Sequence, residues 1–260
     1  MKVTVLGCGG SGGVPYVDGT PGGNWGRCDP GNPRNRRRRV SILVEQGGTV
    51  LLVDTSPDLR AQLLDAGVSR LDAVLFTHAH ADHAHGLDEL RGLVYARRAP
   101  LEAYMDEATH AELTARFAYA FASSRDPRNP YRPLFTDHVI NGPFRVGALD
   151  IIPFTQGHGL ETTLGLRFGP VAYSTDVSAL DEAAFAALEG LEVWIVDCLR
   201  DAPHPTHSHL AQTLAWIARV RPERAVLTHM NHQIDYEDLR SRCPPGVEPA
   251  YDGMVIEVAG

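Results

Sequence analysis

Short apolar segments recur along the chain, and polar residues with glycine or proline separate them into candidate strands and helices. Val40, Ile42 and Val44 occupy alternate positions, which is the pattern of a strand with one buried face. The pair Gly47–Gly48 that follows indicates a hairpin turn. The same reasoning predicts strands at 2–6, 40–45, 49–53, 71–77, 148–154, 163–168, 171–175, 192–197, 224–228 and 253–258.

Helical signals fall between these strands. Ser56 has the residue type of a helix N-cap, Pro57 suits the first helical position, and Gly67 suits the end of that helix. Further helices are expected near 86–97, 106–122, 179–189 and 208–220. Strands interspersed with helices in both halves of the chain favour an α/β (α+β) protein, in which two sheets pack together and helices cover them.

The composition is ordinary for a globular protein, with 43% hydrophobic and 22% charged residues. A chain of 260 residues forms either one large domain or two small ones. No apolar stretch approaches the length of a membrane span, so no membrane partner is expected. The net charge of −8 argues against a surface that coats nucleic acid.

The four cysteines form no CxxC pair and have no regular spacing. Such thiols are typical of a reducing compartment rather than of a disulfide framework. The sequence therefore predicts a cytoplasmic protein with free cysteines at positions 8, 28, 198 and 243.

The segment 78–83 reads HAHADH and directly follows the apolar strand predicted at 71–77. Imidazole and carboxylate are ligands that borderline divalent metals such as zinc accept. A solvated histidine-rich loop that only picks up metal is the alternative. Three more candidate ligands, His158, Asp176 and His229, also follow predicted strands, where α/β proteins place functional groups. Together these positions indicate a site that holds two divalent cations side by side.

This combination of motifs resembles the metallo-β-lactamase superfamily. The likeness rests on HxHxDH at 78–83, on the three later ligands, and on Asp54 after the strand at 49–53 as a further acidic motif. It implies a four-layer αββα sandwich with two mixed sheets, formed by a single metallo-β-lactamase-fold domain over residues 1–260. It also implies a dinuclear metal site at one edge of the two sheets.

The resemblance assigns a role to each of these side chains. One metal is held by His78, His80 and His158, the other by Asp82, His83 and His229, and Asp176 bridges them. A hydroxide held between two divalent metal ions is available near neutral pH and would be the nucleophile. Zn²⁺ is the expected ion and Mn²⁺ the alternative, because the same ligands accept either. Asp82 is expected to be catalytic as well as a ligand.

Within the superfamily, the chain is most similar to the phosphoribosyl 1,2-cyclic phosphate phosphodiesterases. The similarity covers GCGGSGGVP at 7–15, Trp25–Gly26, the arginine-rich run before Ser41, VDC at 196–198, VLTHMNHQ at 226–233 and YDGM at 251–254. It implies a phosphodiesterase in which a hydroxide held by two metals cleaves a small cyclic or nucleotide-like phosphodiester. The expected partner is therefore a small phosphorylated substrate.

Several further residues are candidates for contact with that substrate. His207 matches a histidine that faces the substrate phosphate and would be a general acid or charge stabiliser. Its alternative role is that of an ordinary residue at a solvated helix N-terminus. A glycine-rich loop can also present backbone N–H groups to a phosphate. The remaining substrate-binding candidates are Ser11, Gly12, Arg39 and His209.

One departure from that branch is expected to matter. The branch carries a cysteine cluster after the Trp-Gly pair, which holds a structural zinc together with a histidine that matches His232. Here the segment 27–30 provides only Cys28. The sequence leaves open whether Cys28 and His232 keep any structural metal.

Other functions stay open at this point. A tRNA 3′-processing-type nuclease, which would make nucleic acid a partner, and a non-catalytic ligand or cofactor carrier share the fold. A di-iron redox protein shares it too, but would need an attached flavin domain. The segment 104–135 could form either a lid or the contact of a homodimer, because it contains the aromatic residues Phe117, Tyr119, Phe121, Tyr131 and Phe135.

Overall fold

Two mixed β-sheets form the centre of the molecule. The computed structural model describes residues 1–122, 128 and 132–259, and within them each sheet has seven strands. Helices lie on the outer face of each sheet. The αββα sandwich expected from the sequence is therefore confirmed.

The first sheet contains most of the N-terminal half of the chain and one strand from its C-terminal end. The strands are β1 (Lys2–Gly7), β2 (Ser41–Gln46), β3 (Thr49–Val53), β4 (Ala73–Leu75), β5 (Leu101–Met105), β6 (Phe135–Val139) and β14 (Val255–Glu257). Their order is β14-β1-β2-β3-β4-β5-β6. The pairs β14/β1, β1/β2 and β2/β3 are antiparallel, and the pairs from β3 to β6 are parallel.

The second sheet is built from the rest of the chain. Its strands are β7 (Phe144–Val146), β8 (Leu149–His158), β9 (Glu161–Phe168), β10 (Val171–Ser174), β11 (Val193–Asp197), β12 (Arg224–Thr228) and β13 (Val247–Pro249). Their order is β13-β12-β11-β10-β9-β8-β7. The strands β10 to β13 are parallel, whereas β7, β8, β9 and β10 pair antiparallel.

The helices are short, and three of the seven in the described residues begin at a side-chain cap. They are α1 (Leu59–Asp65), α2 (Ala81–Ala84), α3 (Arg91–Arg97), α4 (Glu107–Arg116), α5 (Glu182–Ala187), α6 (Leu210–Val220) and α7 (Tyr236–Arg242), with single 3₁₀ turns at Pro33–Asn35 and Leu87–Leu90. An aspartate side chain accepts a backbone N–H at the start of α4, α5 and α7. Across the described parts of the chain, no helix combines the length and apolarity that crossing a bilayer requires.

Strand alternation explains why the molecule has separate apolar layers. In β3, Leu51 and Val53 face the layer between the two sheets, whereas Leu52 faces the layer under the helices. The inter-sheet layer continues into residues of the second sheet such as Tyr173, which is fully buried. Residues of α1, α3 and α4 cover the outer face of the first sheet. All four layers are thus connected by buried apolar contacts.

The sequence prediction missed four strands and two helices, α2 and α7, of which α2 is only four residues long. The strands β5, β6, β7 and β13 are three to five residues long, and β5, β6 and β13 are held mainly by parallel neighbours rather than by a local hairpin. The helix α7 carries few apolar residues, so its periodicity is weak. The helix predicted to reach residue 122 ends at Arg116, because the chain turns back there to pair Phe121 with Phe135.

The aromatic residues of the segment 104–135 differ in how deeply they are buried. Phe121 and Phe135 are fully buried in the layer under the helices, so neither is available to a lid or to a partner. Tyr119 is 44% exposed, and Tyr131 lies outside the described residues. A lid or a dimer contact in this segment stays a prediction.

Two neighbouring leucines on α1 test the layer under the helices. Leu63 is 7% exposed and Leu64 is 64% exposed. Leu63→Ala should lower the free energy of unfolding by about 2–3 kcal/mol, because it removes buried apolar contacts. Leu64→Ala should change it by less than about 0.5 kcal/mol. Urea unfolding of both variants measures the difference, and equal effects would contradict the described packing.

Candidate metal centre

Both sheets deliver histidine and aspartate side chains to one edge of the sandwich. His78 follows β4 after two residues, and α2 then supplies Asp82 and His83. The second sheet supplies three residues at or just after the ends of β8, β10 and β12, namely His158, Asp176 and His229. Strand ends are rigid because their backbone is still held by the sheet, so these side chains start from fixed positions.

The carboxylate of Asp176 lies between two sets of imidazoles. Its Oδ2 atom is 3.8 Å from Nε2 of His78 and 3.7 Å from Nε2 of His158. Its Oδ1 atom is 3.0 Å from Nε2 of His83 and 3.2 Å from Nε2 of His229. The two oxygens of one carboxylate therefore serve two different groups of side chains.

The ligand atoms of each group lie within 4.8 Å of one another. The first group is His78, His80, His158 and Asp176, and the second group is Asp82, His83, Asp176 and His229. Bonds of about 2.0–2.1 Å at tetrahedral angles place ligand atoms roughly 3.3 Å apart. The observed separations around Asp176, from 3.0 to 3.8 Å, lie around this value.

Unpaired buried atoms test whether divalent cations fit these groups. The Nε2 atoms of His78, His83 and His229 are buried, and none makes a well-aligned hydrogen bond to a described residue, although those of His83 and His229 lie close to Oδ1 of Asp176. A buried polar nitrogen without a partner is costly unless something else binds it. Nitrogen and carboxylate oxygen donors also match the preferences of zinc and manganese. The residues present therefore fit a pair of divalent metal ions.

The opposite ring nitrogens are held by the protein. Nδ1 of His83 lies 2.8 Å from Oδ2 of Asp54, and Nδ1 of His158 donates to the carbonyl of Thr206 at 2.6 Å. Asp54 itself accepts hydrogen bonds from the N–H and the hydroxyl of Thr77. Such contacts fix the ring orientation and leave Nε2 free to bind metal. The sequence indicated Asp54 as an acidic motif without giving it this role.

His80 differs from the other imidazoles because its side chain is 42% exposed. Its Nε2 atom lies 3.1 Å from a carboxylate oxygen of Glu161. The nitrogen that remains for the first group is therefore Nδ1. Glu161 stands directly across the β8–β9 hairpin from His158, so one hairpin supplies contacts for two of the imidazoles.

The two groups differ in their protonation. Burial lowers the pKa of His78 and of His158 below the usual range, so both rings are neutral. Burial also lowers the pKa of His229, but the carboxylates of Asp176, Asp82 and Asp197 outweigh this effect and raise the pKa to about 9. The carboxylates of Asp176, Asp82 and Asp54 likewise outweigh burial at His83 and raise its pKa. Protons thus occupy the second group when metal is absent.

The carboxylates respond in the opposite direction. Burial alone would raise the pKa of Asp176, but His229 and His83 outweigh it and hold the pKa well below the usual range. The pKa of Asp82 is also lowered, because His83 and His229 outweigh its burial. Both carboxylates are therefore ionised and ready to bind a cation.

The backbone is unusual at three of these positions. Asp54, Asp176 and His229 have φ angles of 62°, 50° and 58°. This left-handed region is unfavourable for residues with a side chain and is often found at functional sites. At each position the chain leaves a strand and turns sharply, which directs the side chain into the centre.

A second aspartate supports His207 beside the second group. Nδ1 of His207 lies 3.2 Å from Oδ2 of Asp197, and its ring stacks on that of His229 at 4.7 Å. Asp197 ends β11, is fully buried and accepts the N–H of Ser208 at 3.2 Å. The sequence indicated Asp197 only as part of a family motif. Its role needed the fold, because only the strand order brings β11 beside β12.

The glycine-rich loop lies against this centre. A Cβ added to Gly10 would be 3.5 Å from Cε1 of His229. The N–H groups of Gly9, Gly10 and Gly13 donate to backbone carbonyls. Among the hydrogen bonds of the described residues, none uses the N–H of Ser11 or Gly12, so these two donors remain free.

Two other predicted substrate residues are placed differently. The guanidinium of Arg39 is paired with Asp58, with Nε 2.7 Å from Oδ2 and Nη2 3.0 Å from Oδ1. His209 occupies the N-cap position of α6, and no contact in the described structure joins it to the ligand groups. The structure brings His207 to the centre, but it does not bring His209 there. A substrate contact for Arg39 or His209 stays a prediction.

Cys28 and His232 do not form a metal group in the described part of the chain. The Cys28 thiol donates to the carbonyl of Ile234 at 3.1 Å, and burial raises its pKa. The His232 ring stacks on Tyr16, with centroids 5.5 Å apart. A thiol that is protonated and hydrogen-bonded, beside a stacked imidazole, does not fit a structural zinc.

Comparison with known proteins gives three informative similarities. A family model described as a beta-lactamase superfamily domain matches residues 49–230. A solved structure of a new diphosphatase from the PhnP family is 32% identical, with a TM-score of 0.87 over 99% of this chain and 98% of that one. An octanoyltransferase of Porphyromonas gingivalis (strain ATCC BAA-308 / W83) is 31% identical over 257 residues, which cover 98% of this chain and 51% of that protein.

A shorter match is to ribonuclease Z of Bradyrhizobium sp. (strain ORS 278). It is 39% identical over 69 residues, or 26% of this chain and 23% of that protein. The chain thus spans about half or less of the length of these two curated relatives. Their names describe whole proteins, of which this chain matches a part.

Proton release on metal binding tests the charge state of the second group. At pH 7, His83 and His229 carry protons in the metal-free protein, because both pKa values are raised, that of His229 to about 9. Zn²⁺ must displace them, so binding should release roughly two protons and tighten as the pH rises toward 9.

Calorimetric titration in buffers of different ionisation enthalpy measures this number. The metal-free protein alone in each buffer is the control. Binding at pH 7 that releases no proton, or that does not depend on pH between 6 and 9, would contradict the assigned charges.

Proposed function

The chain belongs to the metallo-β-lactamase superfamily, and from this membership we propose that it is a hydrolase that cleaves phosphodiesters with two divalent cations. The observation that carries the proposal is the shared carboxylate of Asp176, whose oxygens each lie within 4 Å of a different pair of imidazoles. We propose the seven side chains as metal ligands in two groups: His78, His80 and His158; Asp82, His83 and His229; and Asp176 between them.

The two cations, when bound, supply an activated water and positive charge for an in-line displacement at phosphorus. The chain supplies the rest. Asp82, which reaches within 3.6 Å of His229, is proposed to orient the attacking water in addition to its role as a ligand. Zn²⁺ is the proposed ion, with Mn²⁺ as the alternative, because nitrogen and oxygen donors accept either.

Phosphate recognition is proposed for the glycine-rich loop. The free N–H groups of Ser11 and Gly12 follow Gly10, whose own N–H donates to the carbonyl of Met230, the residue after His229. Adjacent backbone N–H groups form a favourable site for phosphate oxygens. The loop therefore supplies two donors close to the second group, without a charged side chain.

His207 is proposed as the general acid. Asp197 accepts from Nδ1 and holds the ring, while stacking on His229 keeps it beside the centre. The leaving alkoxide needs a proton, and an imidazole at this place can give it one from Nε2. Asp197 is a positioning residue in this scheme.

The similarity to a PhnP-family diphosphatase over nearly the full length of both chains favours a small phosphorylated substrate. The short match to ribonuclease Z keeps a tRNA 3′-processing nuclease as the second candidate. We further propose one domain over residues 1–260, because both sheets contribute to one inter-sheet layer. The cytoplasm is the proposed compartment, since all four cysteines are free.

Removal of the shared carboxylate tests the function directly. Asp176→Ala should abolish metal-dependent hydrolysis of bis-p-nitrophenyl phosphate, with a loss of at least about 10³-fold, because both groups lose a ligand. Thermal unfolding should show that the variant is still folded.

The substrate class is tested with the wild-type protein. A small cyclic phosphodiester and a tRNA with a 3′ extension should be compared at equal enzyme concentration, and faster cleavage of the small diester is expected. Faster cleavage of the tRNA would favour the nuclease. Metal-loaded protein that hydrolyses neither compound would favour a non-catalytic carrier.

A histidine variant tests the general acid. His207→Asn should lower kcat by about 10²–10⁴-fold, because proton donation to the leaving group is lost. The metal content should stay at two ions per chain. His138→Asn is the matched control, because His138 contacts Glu102 in the first sheet, in strands away from these ligands.

The same variant separates proton donation from metal binding. A substrate with a good leaving group, such as p-nitrophenolate, needs less help from an acid, so its loss of rate should be smaller than that of an alkyl diester. Equal losses for both substrates, or loss of metal in His207→Asn, would contradict the proposed role.

A further inference from the structure

Arg37 is buried although it carries a permanent charge. It is 1% exposed and lies in the loop that leads from β1 to β2. Its Nη1 donates to the carbonyl of Asn231 at 3.0 Å, and its Nη2 donates to Oδ1 of Asn35 at 3.2 Å. No carboxylate in the described structure pairs with this guanidinium. Burying a charge is costly unless hydrogen bonds compensate it, so these contacts need an explanation.

The partners of Arg37 join two distant segments of the chain. Asn35 donates to Oδ2 of Asp235 at 2.6 Å and accepts the N–H of Tyr236 at 2.8 Å. Cys28, whose sulfur lies 3.9 Å from Nη1, donates to the carbonyl of Ile234. The guanidinium is thus at the centre of a buried polar cluster that connects residues 28–37 to residues 231–236.

The second of these segments begins at a proposed metal ligand. Asn231 is two residues after His229, whose φ angle of 58° makes the turn out of β12. Met230 between them is held on both sides, since it donates to Cys8 and accepts from Gly10. Asn231 is held through both of its backbone groups: its N–H donates to the Leu199 carbonyl at 3.0 Å, and its carbonyl accepts from Arg37.

We infer that Arg37 is a positioning residue for the metal centre: its guanidinium holds the turn at 229–231, so that the His229 imidazole is aimed at the second group. Cys28 and His232 do not form a metal site here. The guanidinium of Arg37, a planar cation with several fixed donors, links residues 28–37 to residues 231–236 instead. The inference rests on the proposed function, because it requires that the second group binds a metal ion.

The test measures metal affinity rather than catalysis. Arg37→Met keeps much of the side-chain volume but removes every donor. In a competition with a chromophoric chelator, its first Zn²⁺ should bind as in the wild type, while the Kd for the second should rise by at least about 10-fold. Arg38→Gln is the matched control, because Arg38 is its neighbour and pairs with Asp65 at the surface. The control should bind both ions like the wild type.

Arg37→Lys covers the case in which Arg37→Met does not fold, because it keeps the charge and one point of donation. Arg37→Lys should also weaken the binding of the second Zn²⁺, by a smaller factor than Arg37→Met. A folded Arg37 variant that binds both ions with wild-type affinity would overturn the inference and leave the proposed function intact. A wild-type chain that takes up fewer than two ions would overturn the proposed function and the inference with it.

Discussion

A single carboxylate shared between two groups of imidazoles is the constraint on which the rest of the structure depends. Asp176 has to follow a strand of the second sheet, while His78 and His83 come from the first. Its oxygens lie 3.0–3.8 Å from nitrogens of both groups, so a shift of one sheet by a single residue would separate them. The apolar layer between the sheets therefore fixes the centre as well as the fold.

Hydrogen bonds behind the imidazoles complete this arrangement. Asp54 holds His83, the Thr206 carbonyl holds His158, and Asp197 lies behind both His207 and His229. Asp54 and Asp197 are fully buried, so they orient the rings without competition from water. The same principle extends to Arg37, which acts on the backbone behind a ligand rather than on its ring.

The sequence alone predicted the sandwich and the strands that end at the candidate ligands, because those strands are apolar and the ligand motif is dense. It did not predict β5 or β6, since their pairing is parallel and their partners are distant in sequence. Nor could it show that Arg39 pairs with Asp58 or that Arg37 is buried. An arginine-rich run is ordinarily expected to be a solvated loop, and only the fold shows which residues surround it. Asp197 was visible as a motif, but its contact with His207 depends on the fold.

The central claim is that Asp176 bridges two metal ions, and anomalous X-ray scattering from crystals of the Zn²⁺-loaded protein tests it most directly. Two anomalous peaks are predicted on either side of the Asp176 carboxylate, about 3.5–4 Å apart as in other dinuclear sites. One should lie among His78, His80 and His158, and the other among Asp82, His83 and His229. A single peak, or peaks that do not contact Asp176, would contradict the claim.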